Sequence, residues 1–290
     1  MSGPEGARGP RRPATARPRS DAGHEAVPPA REELEAIELQ LAALPVHSAA
    51  TLEELPELGV TLFSAPGMGP GLNFAARVRW PAEGVAERLG RLQEHMQLRG
   101  EWPALVVAEG LSEPPDLSLW LEGNGWIDLE RERVMWTRHP PTVPHLDPSL
   151  RVEAVTRRSA AEFEQVEREV FGVAVSRAQE RAQRVVAGVE AGEFRAYLVR
   201  LRGSPVATAR LAPGRGVAGI FGVAVSAGYR RQGYGSLVTA VATRAGLAAG
   251  AKLVWLSVEE GNGPAIGMYR RLGYQPSFSW ARWIGSAALR

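Results

Sequence analysis

The densest group of chemistry-bearing residues is the run Val223-Ala-Val-Ser-Ala-Gly-Tyr-Arg-Arg-Gln-Gly-Tyr-Gly-Ser236, where arginines and glycines lie between an apolar stretch and a long helical pattern. Gly233 and Gly235 permit backbone angles closed to other residues and remove the Cβ that would block a close approach. A helix that starts there presents unpaired N–H groups and a partial positive charge. Together these make an anion site suited to phosphate, and Arg230 and Arg231 add full charges that suit a diphosphate. A P-loop would need Gly-Lys-Ser/Thr, which is absent, and a dinucleotide fingerprint would need a third glycine where Val238 stands. On this loop alone, an αβ turn with solvated arginines is an equal alternative.

The elements around the loop are legible from periodicity. A strand is expected over residues 151–155, helices over 160–171 and 177–189, and a hairpin over 194–201 and 205–211 turning at Arg202-Gly-Ser204. A strand over 219–225 leads into the loop, and a helix over 233–249 stops before Gly250. A strand over 252–258 leads to a helix over 264–272 closed by Gly273, and a last strand covers 278–284. The first half repeats the later part of this series: strand 73–80, helix 83–98, buried strand 104–108, short helix 116–122 and strand 134–137. Pro115-Asp-Leu-Ser-Leu-Trp-Leu-Glu-Gly-Asn-Gly-Trp126 corresponds to Pro264-Ala-Ile-Gly-Met-Tyr-Arg-Arg-Leu-Gly-Tyr274, each after an apolar strand ending near Glu, as in a degenerate tandem duplication. The prolines of residues 140–149 mark the linker. The expected division is a disordered Arg/Pro/Gly-rich tail (1–30), a degenerate first domain (31–139), the linker (140–149) and a second domain (150–290).

Composition narrows the chemistry. The 290 residues are 44% hydrophobic and 23% charged, with a formal net charge of only +2, so no nucleic-acid partner is expected. Lys252 is the sole lysine. No cysteine is present, which excludes disulfides, thiolate zinc sites and a cysteine nucleophile, and no metal is called for. All five histidines lie in the first half and all five tyrosines in the second. Acid–base chemistry in the second half therefore falls to carboxylates, tyrosine, water or backbone. The most apolar stretch, residues 237–256, is interrupted by Arg244 and Lys252, and the N-terminus lacks a signal-like apolar region. A cytoplasmic, soluble protein with no membrane partner is expected.

Arg230-x-x-Gly233-x-Gly235, followed after a helix and a strand by Asn262-x-x-Ala265-x-x-x-Tyr269-x-x-x-Gly273-Tyr274, resembles the GNAT superfamily of N-acetyltransferases over residues 150–284. The resemblance implies an α/β fold of tandem GNAT-like domains, a mixed sheet flanked by helices with splayed central parallel strands. It implies acetyl-CoA as acyl donor and a primary amine as acceptor. By the same resemblance, Val223, Ala224 and Val225 belong to the strand whose backbone pairs with the pantetheine arm. Arg230, Arg231, Gln232, Gly233, Tyr234, Gly235 and Ser236 match the pyrophosphate loop, and Asn262 and Ala265 lie near the cofactor arm. Tyr269 matches the general acid that protonates the departing thiolate; as a residue sharing a helical face with Leu272, it also reads as a core aromatic. Many family members carry a base glutamate on the strand ending at Val225, but residues 220–225 hold no carboxylate. Glu259 is the tentative base, with Glu260, Glu193 or a water chain as further options, and direct attack by the amine is expected because no cysteine exists to carry the acetyl group.

At the corresponding point in the first half, Arg77-Val-Arg-Trp80-Pro81-Ala-Glu83-Gly84 lacks paired glycines, and Pro81 suits a helix start. Glu83 would repel a diphosphate, so this half is expected not to bind CoA, as in the inactive half of tandem GNAT proteins. Trp80, Trp102, Trp120, Trp126 and Trp136 read mainly as core, some of them as walls of a cleft between the halves. A tandem chain of this kind fits a monomer, since its two halves replace the dimer contact of single-domain relatives. A non-catalytic acyl-CoA sensor and a nucleotide-binding regulator are the competing readings.

Overall fold

The structure, a computed structural model, describes residues 27–43, 51–65, 71–144 and 147–285. Residues 1–26 of the expected tail and 145–146 of the linker lie outside them. The first half runs α1 (Arg31–Ala43), β1 (Thr51–Leu55), β2 (Val60–Ser64), β3 (Phe74–Ala76), α2 (Val85–Leu98), β4 (Ala104–Ala108), α3 (Leu117–Gly123) and β5 (Ile127–Thr137). The second half runs β6 (Leu150–Ala154), α4 (Ala160–Phe171), α5 (Ala178–Glu190), β7 (Arg195–Leu201), β8 (Ser204–Gly214), β9 (Val217–Val225), α6 (Tyr234–Ala248), β10 (Leu253–Glu259), α7 (Gly263–Arg271) and β11 (Gln275–Ile284). Periodicity located the second-half elements to within a few residues, whereas α1, β1 and β2 carry patterns too weak to read. The strand expected over 73–80 shrinks to β3. Pro81 does not open α2, which starts four residues later behind Gly84 in the left-handed region (φ 75°).

All eleven strands join one sheet in the order β1-β2-β3-β4-β11-β5-β10-β9-β8-β7-β6. β3/β4 and β9/β10 are parallel, and the other neighbours are antiparallel. With β1–β5 mapped onto β7–β11, the order reads the same from either edge apart from β6, the pattern a duplicated chain produces. The two terminal strands are exchanged. β11 lies between β4 and β5, and β5 lies between β11 and β10, so each half leaves a one-strand gap that the other half fills.

Packing follows the same logic. On β10, Val254, Leu256 and Val258 face a cluster containing Leu237 and Val238 of α6 and Ile266 and Tyr269 of α7. Leu253 and Trp255 alternate to the opposite side, where one core runs from Ile37 of α1 through Leu89 of α2 to Phe163 of α4. That core crosses both halves without interruption. Trp255 donates its indole N–H to Gln40 of α1 at 2.6 Å, pinning the first helix to the second half's central strand.

α4 and α5 are fastened by buried charge. Glu167 pairs with Arg210 of β8 and, at 3.3 Å, with Arg181 of α5, while Glu164 lies 3.6 Å from Arg181 and 3.4 Å from Arg168. The Arg210 guanidinium also lies against the rings of Phe163 and Phe194, each 5.3 Å away. Among the described residues, no helix is long and apolar enough to cross a membrane.

Two outcomes follow from this architecture. Replacing Arg210 with Ala breaks the buried pair and leaves Glu167 only Arg181 as a cationic partner, and is expected to cost about 3 kcal/mol in a urea melt. Cutting the chain after Pro144 should leave two fragments that co-elute on a sizing column when coexpressed, whereas the second fragment alone should aggregate, because β10 then has an open edge and β11 no partners.

Candidate active site

The parallel pairing of β9 and β10 covers only Val217–Ile220 against Leu253–Leu256, and beyond it the strands part. β9 bends away through a bulge: Thr208 faces Ala224 and Arg210 faces Phe221, so Gly222 and Val223 oppose Ala209 alone. Gly222 takes φ +59°, and a Cβ there would fall 2.8 Å from the Glu167 carboxylate. Neither the angle nor the space admits a larger residue. The opening leads into a cleft of about 1430 Å³ that runs from the start of α6, past the parted strand ends, to β5 and β11.

One end of the cleft is an anion cradle. Gly233 (φ +87°) turns the chain into α6, and Arg231 is also in the left-handed region (φ +62°), a conformation uncommon outside glycine. No side chain caps α6, and among the described residues the N–H groups of residues 231–236 have no protein partner. Such a run of free amides at a helix start attracts anions. Gly235 lets α7 approach closely, since a Cβ on it would stand 3.3 Å from the sulfur of Met268. Arg230, Arg231 and Arg271 line the cleft, are exposed and form no ion pair among the described residues. In the sequence nothing distinguishes Arg271 from an ordinary exposed helix arginine.

The other expected residues divide. Val223, Val225, Tyr234, Ser236 and Ala265 line the cleft. The Ala224 side chain turns into the core opposite Thr208, so only its backbone stays near the site. Gln232 is not part of the lining; its side chain reaches Gly228 O at 3.3 Å and accepts from the Tyr234 hydroxyl at 3.1 Å, bracing the loop from outside. Asn262 lines the cleft while its side-chain oxygen caps α7 by accepting from Ala265 N at 3.2 Å.

Tyr269 is 6% exposed, and it serves both the core and the cleft. Its ring lies 5.9 Å from that of Tyr274, whose hydroxyl meets Thr243 at 2.6 Å. Among the described residues the Tyr269 hydroxyl has no such protein partner. Burial, reinforced by the nearby charge of Glu132, raises its pKa well above the ordinary phenol value, so the ring stays neutral.

The acidic residues are distributed differently from expectation. Glu259 lines the cleft but is exposed; Glu260 is held by Ser279 at 2.6 Å and Arg133 at 3.4 Å, and neither it nor Glu193 is part of the lining. Glu167 and Arg210 form one wall. Glu130 and Glu132 of β5 form another, with Trp280 and Arg282 of β11, and Arg282 pairs with Glu130. Desolvation raises the Glu132 carboxyl to about 7, with Glu130 and Glu259 adding to the rise while a hydrogen bond from Ser257 and the charge of Arg282 oppose it. None of the five first-half tryptophans is in the lining; the tryptophan there is Trp280. Trp80, Trp126 and Trp136 are buried in the core, and Trp102 is 44% exposed. The β5 and β11 residues belong to the site through strand exchange, which leaves no local trace in the sequence.

Residues 160–274 match the Acetyltransferase (GNAT) family model. No curated protein matches the sequence. A GCN5-related N-acetyltransferase from Kribbella flavida is similar in structure, with a TM-score of 0.62 and 23% identity, covering 87% of this chain and 96% of that one. A tandem GNAT protein from the clavulanic acid biosynthesis pathway has a TM-score of 0.61 at 16% identity, covering 91% of this chain and 90% of its own. A GCN5-related N-acetyltransferase from Sphaerobacter thermophilus has a TM-score of 0.57 at 17% identity, with coverages of 79% and 80%. At these identities the likeness is one of fold. The second half of this chain carries a GNAT acetyltransferase domain, set in a mixed sheet of the kind found in tandem GNAT proteins.

Proposed function

We propose that the protein is an N-acetyltransferase that moves an acetyl group from acetyl-CoA to a primary amine. The observation that carries this reading is the continuity of one cleft, which joins the anion cradle at residues 231–236 to Tyr269 at the parted strands. The cradle suits the pyrophosphate of CoA, held by successive backbone N–H groups and by Arg230, Arg231 and Arg271. The unpaired edges of β9 near Val223 and Val225 suit an amide-bearing arm. Bound acetyl-CoA would supply an activated thioester carbonyl.

The chain's own residues then have defined tasks. The acceptor nitrogen attacks the carbonyl carbon, a C–N bond forms, the C–S bond breaks and its electron pair leaves on sulfur. Tyr269, held neutral by burial, donates a hydrogen bond and then its proton to that sulfur, whose ordinary thiol pKa is near 8.5. The transfer is uphill at the raised phenol pKa, so it is coupled to loss of negative charge nearby. The core aromatic role of Tyr269 is compatible with this, because packing fixes the hydroxyl in place. A CoA sensor without catalysis is the second reading, favoured by the absence of a carboxylate from residues 220–225.

Calorimetry should give micromolar affinity for acetyl-CoA and CoA, abolished in Gly233→Glu, while a preference for ATP would sink the reading. Assays of free CoA release over an amine panel separate transferase from sensor. Tyr269→Phe should lower the release rate by about 100-fold or more without changing acetyl-CoA affinity.

A further inference from the structure

We propose that Glu132, delivered from the first half by the exchange of β5, is the base that accepts a proton from the acceptor's ammonium group; this rests on the transferase reading above. Glu132 stands opposite Glu259 across the β10 ladder and opposite Trp280 across the β11 ladder. By strand alternation it shares its side of β5 with Val134 and Trp136, the side that packs with α1 and α4. Tyr269 enters from the opposite side, on α7. The two groups therefore approach the parted strand ends from opposite faces of the sheet, as a base for the acceptor and an acid for the leaving group require.

The other acidic candidates are less suited. Glu167 is held by Arg210 and Arg181, and Glu130 by Arg282. Glu259 is exposed. Glu132 has no salt bridge among the described residues, and the groups that face it are few: Ser257 and Glu259 from β10, Arg282 from β11, Glu130 from its own strand and Tyr269 from α7. The Glu167–Arg210 pair lies on a further wall of the cleft. A carboxyl near neutrality suits a base that must be ionised at working pH yet strong enough to take a proton. It is also coupled to the acid. The negative charge of Glu132 raises the Tyr269 pKa, so neutralising Glu132 makes the phenol a better donor. In the balanced step the ammonium proton passes to Glu132, the freed lone pair forms the C–N bond, and sulfur receives the Tyr269 proton. The nitrogen then loses its second proton through water to the phenolate, and Glu132 releases its own proton to solvent. One ammonium and one thioester thus give one amide, one thiol and one released proton.

Three measurements on the full chain test this. Infrared titration without ligand should show a carboxyl band with a midpoint near pH 7 that is missing in Glu132→Gln; a midpoint below pH 5 would overturn the proposal. With acetyl-CoA and a panel of ethanolamine, spermidine, glucosamine and a tripeptide, wild-type kcat/KM should rise with pH through about 7. Glu132→Gln should lower kcat/KM about 100-fold or more and lose that limb, with acetyl-CoA affinity unchanged by calorimetry and the limb partly restored in Glu132→Asp. A Glu132→Gln variant that keeps rate and limb, especially if Glu259→Gln loses them, would refute the role of Glu132 and leave the transferase reading standing. A wild-type chain that binds acetyl-CoA and transfers to no amine would instead remove both.

Discussion

The reciprocal insertion of β5 and β11 is the constraint on which the rest of the structure depends. A sheet can open between two parallel strands only if its hydrogen bonding continues on both outer sides of the opening. β9 is held on its far side by β8, and β10 on its far side by β5. Backbone amides left unpaired in a buried edge would be costly. The first half therefore supplies the ladder that keeps β10 in place while its tip diverges from β9, and the opening exists because a strand from elsewhere in the chain supports it.

That dependence sets the division of labour between the halves. The anion cradle and Tyr269 arise from the second half alone, whereas the carboxylate wall arises from β5. In the first half, β3 and β4 are parallel but no glycine loop follows β3, and Gly84 precedes α2 without a neighbouring pair of arginines. The first half repeats the strand order of the second without its loop chemistry. It contributes through strand position and through side chains on one face of one strand.

The charges in the site behave according to their partners. Glu167, Arg210 and Arg181 compensate one another and fasten α4 and α5 to the sheet beneath the bulge at Gly222. Glu132 lacks such compensation, and its carboxyl rises towards neutrality for the same reason that the Tyr269 phenol rises above its usual range: water is largely excluded and little positive charge replaces it. The Tyr269 shift is linked to Glu132, whose negative charge adds to the effect of burial on the phenol.

Much of this was determined locally by sequence. The turn at Gly233, the uncapped start of α6, the Asn262 cap and the placement of Tyr269 on α7 each depend on residues within a few positions, so spacing alone exposes them. The second-half strands and helices were legible for the same reason, while the short, fully buried β2 shows no alternation from which to read it. Tertiary structure alone decided which strand lies beside β10, which tryptophan enters the cleft and which carboxylates share it with Tyr269. Glu132 and Tyr269 are separated by more than one hundred residues of sequence, and their presence in one cleft depends on the register of β5 against β10. Register is a property of paired strands, and a single strand's sequence does not contain it.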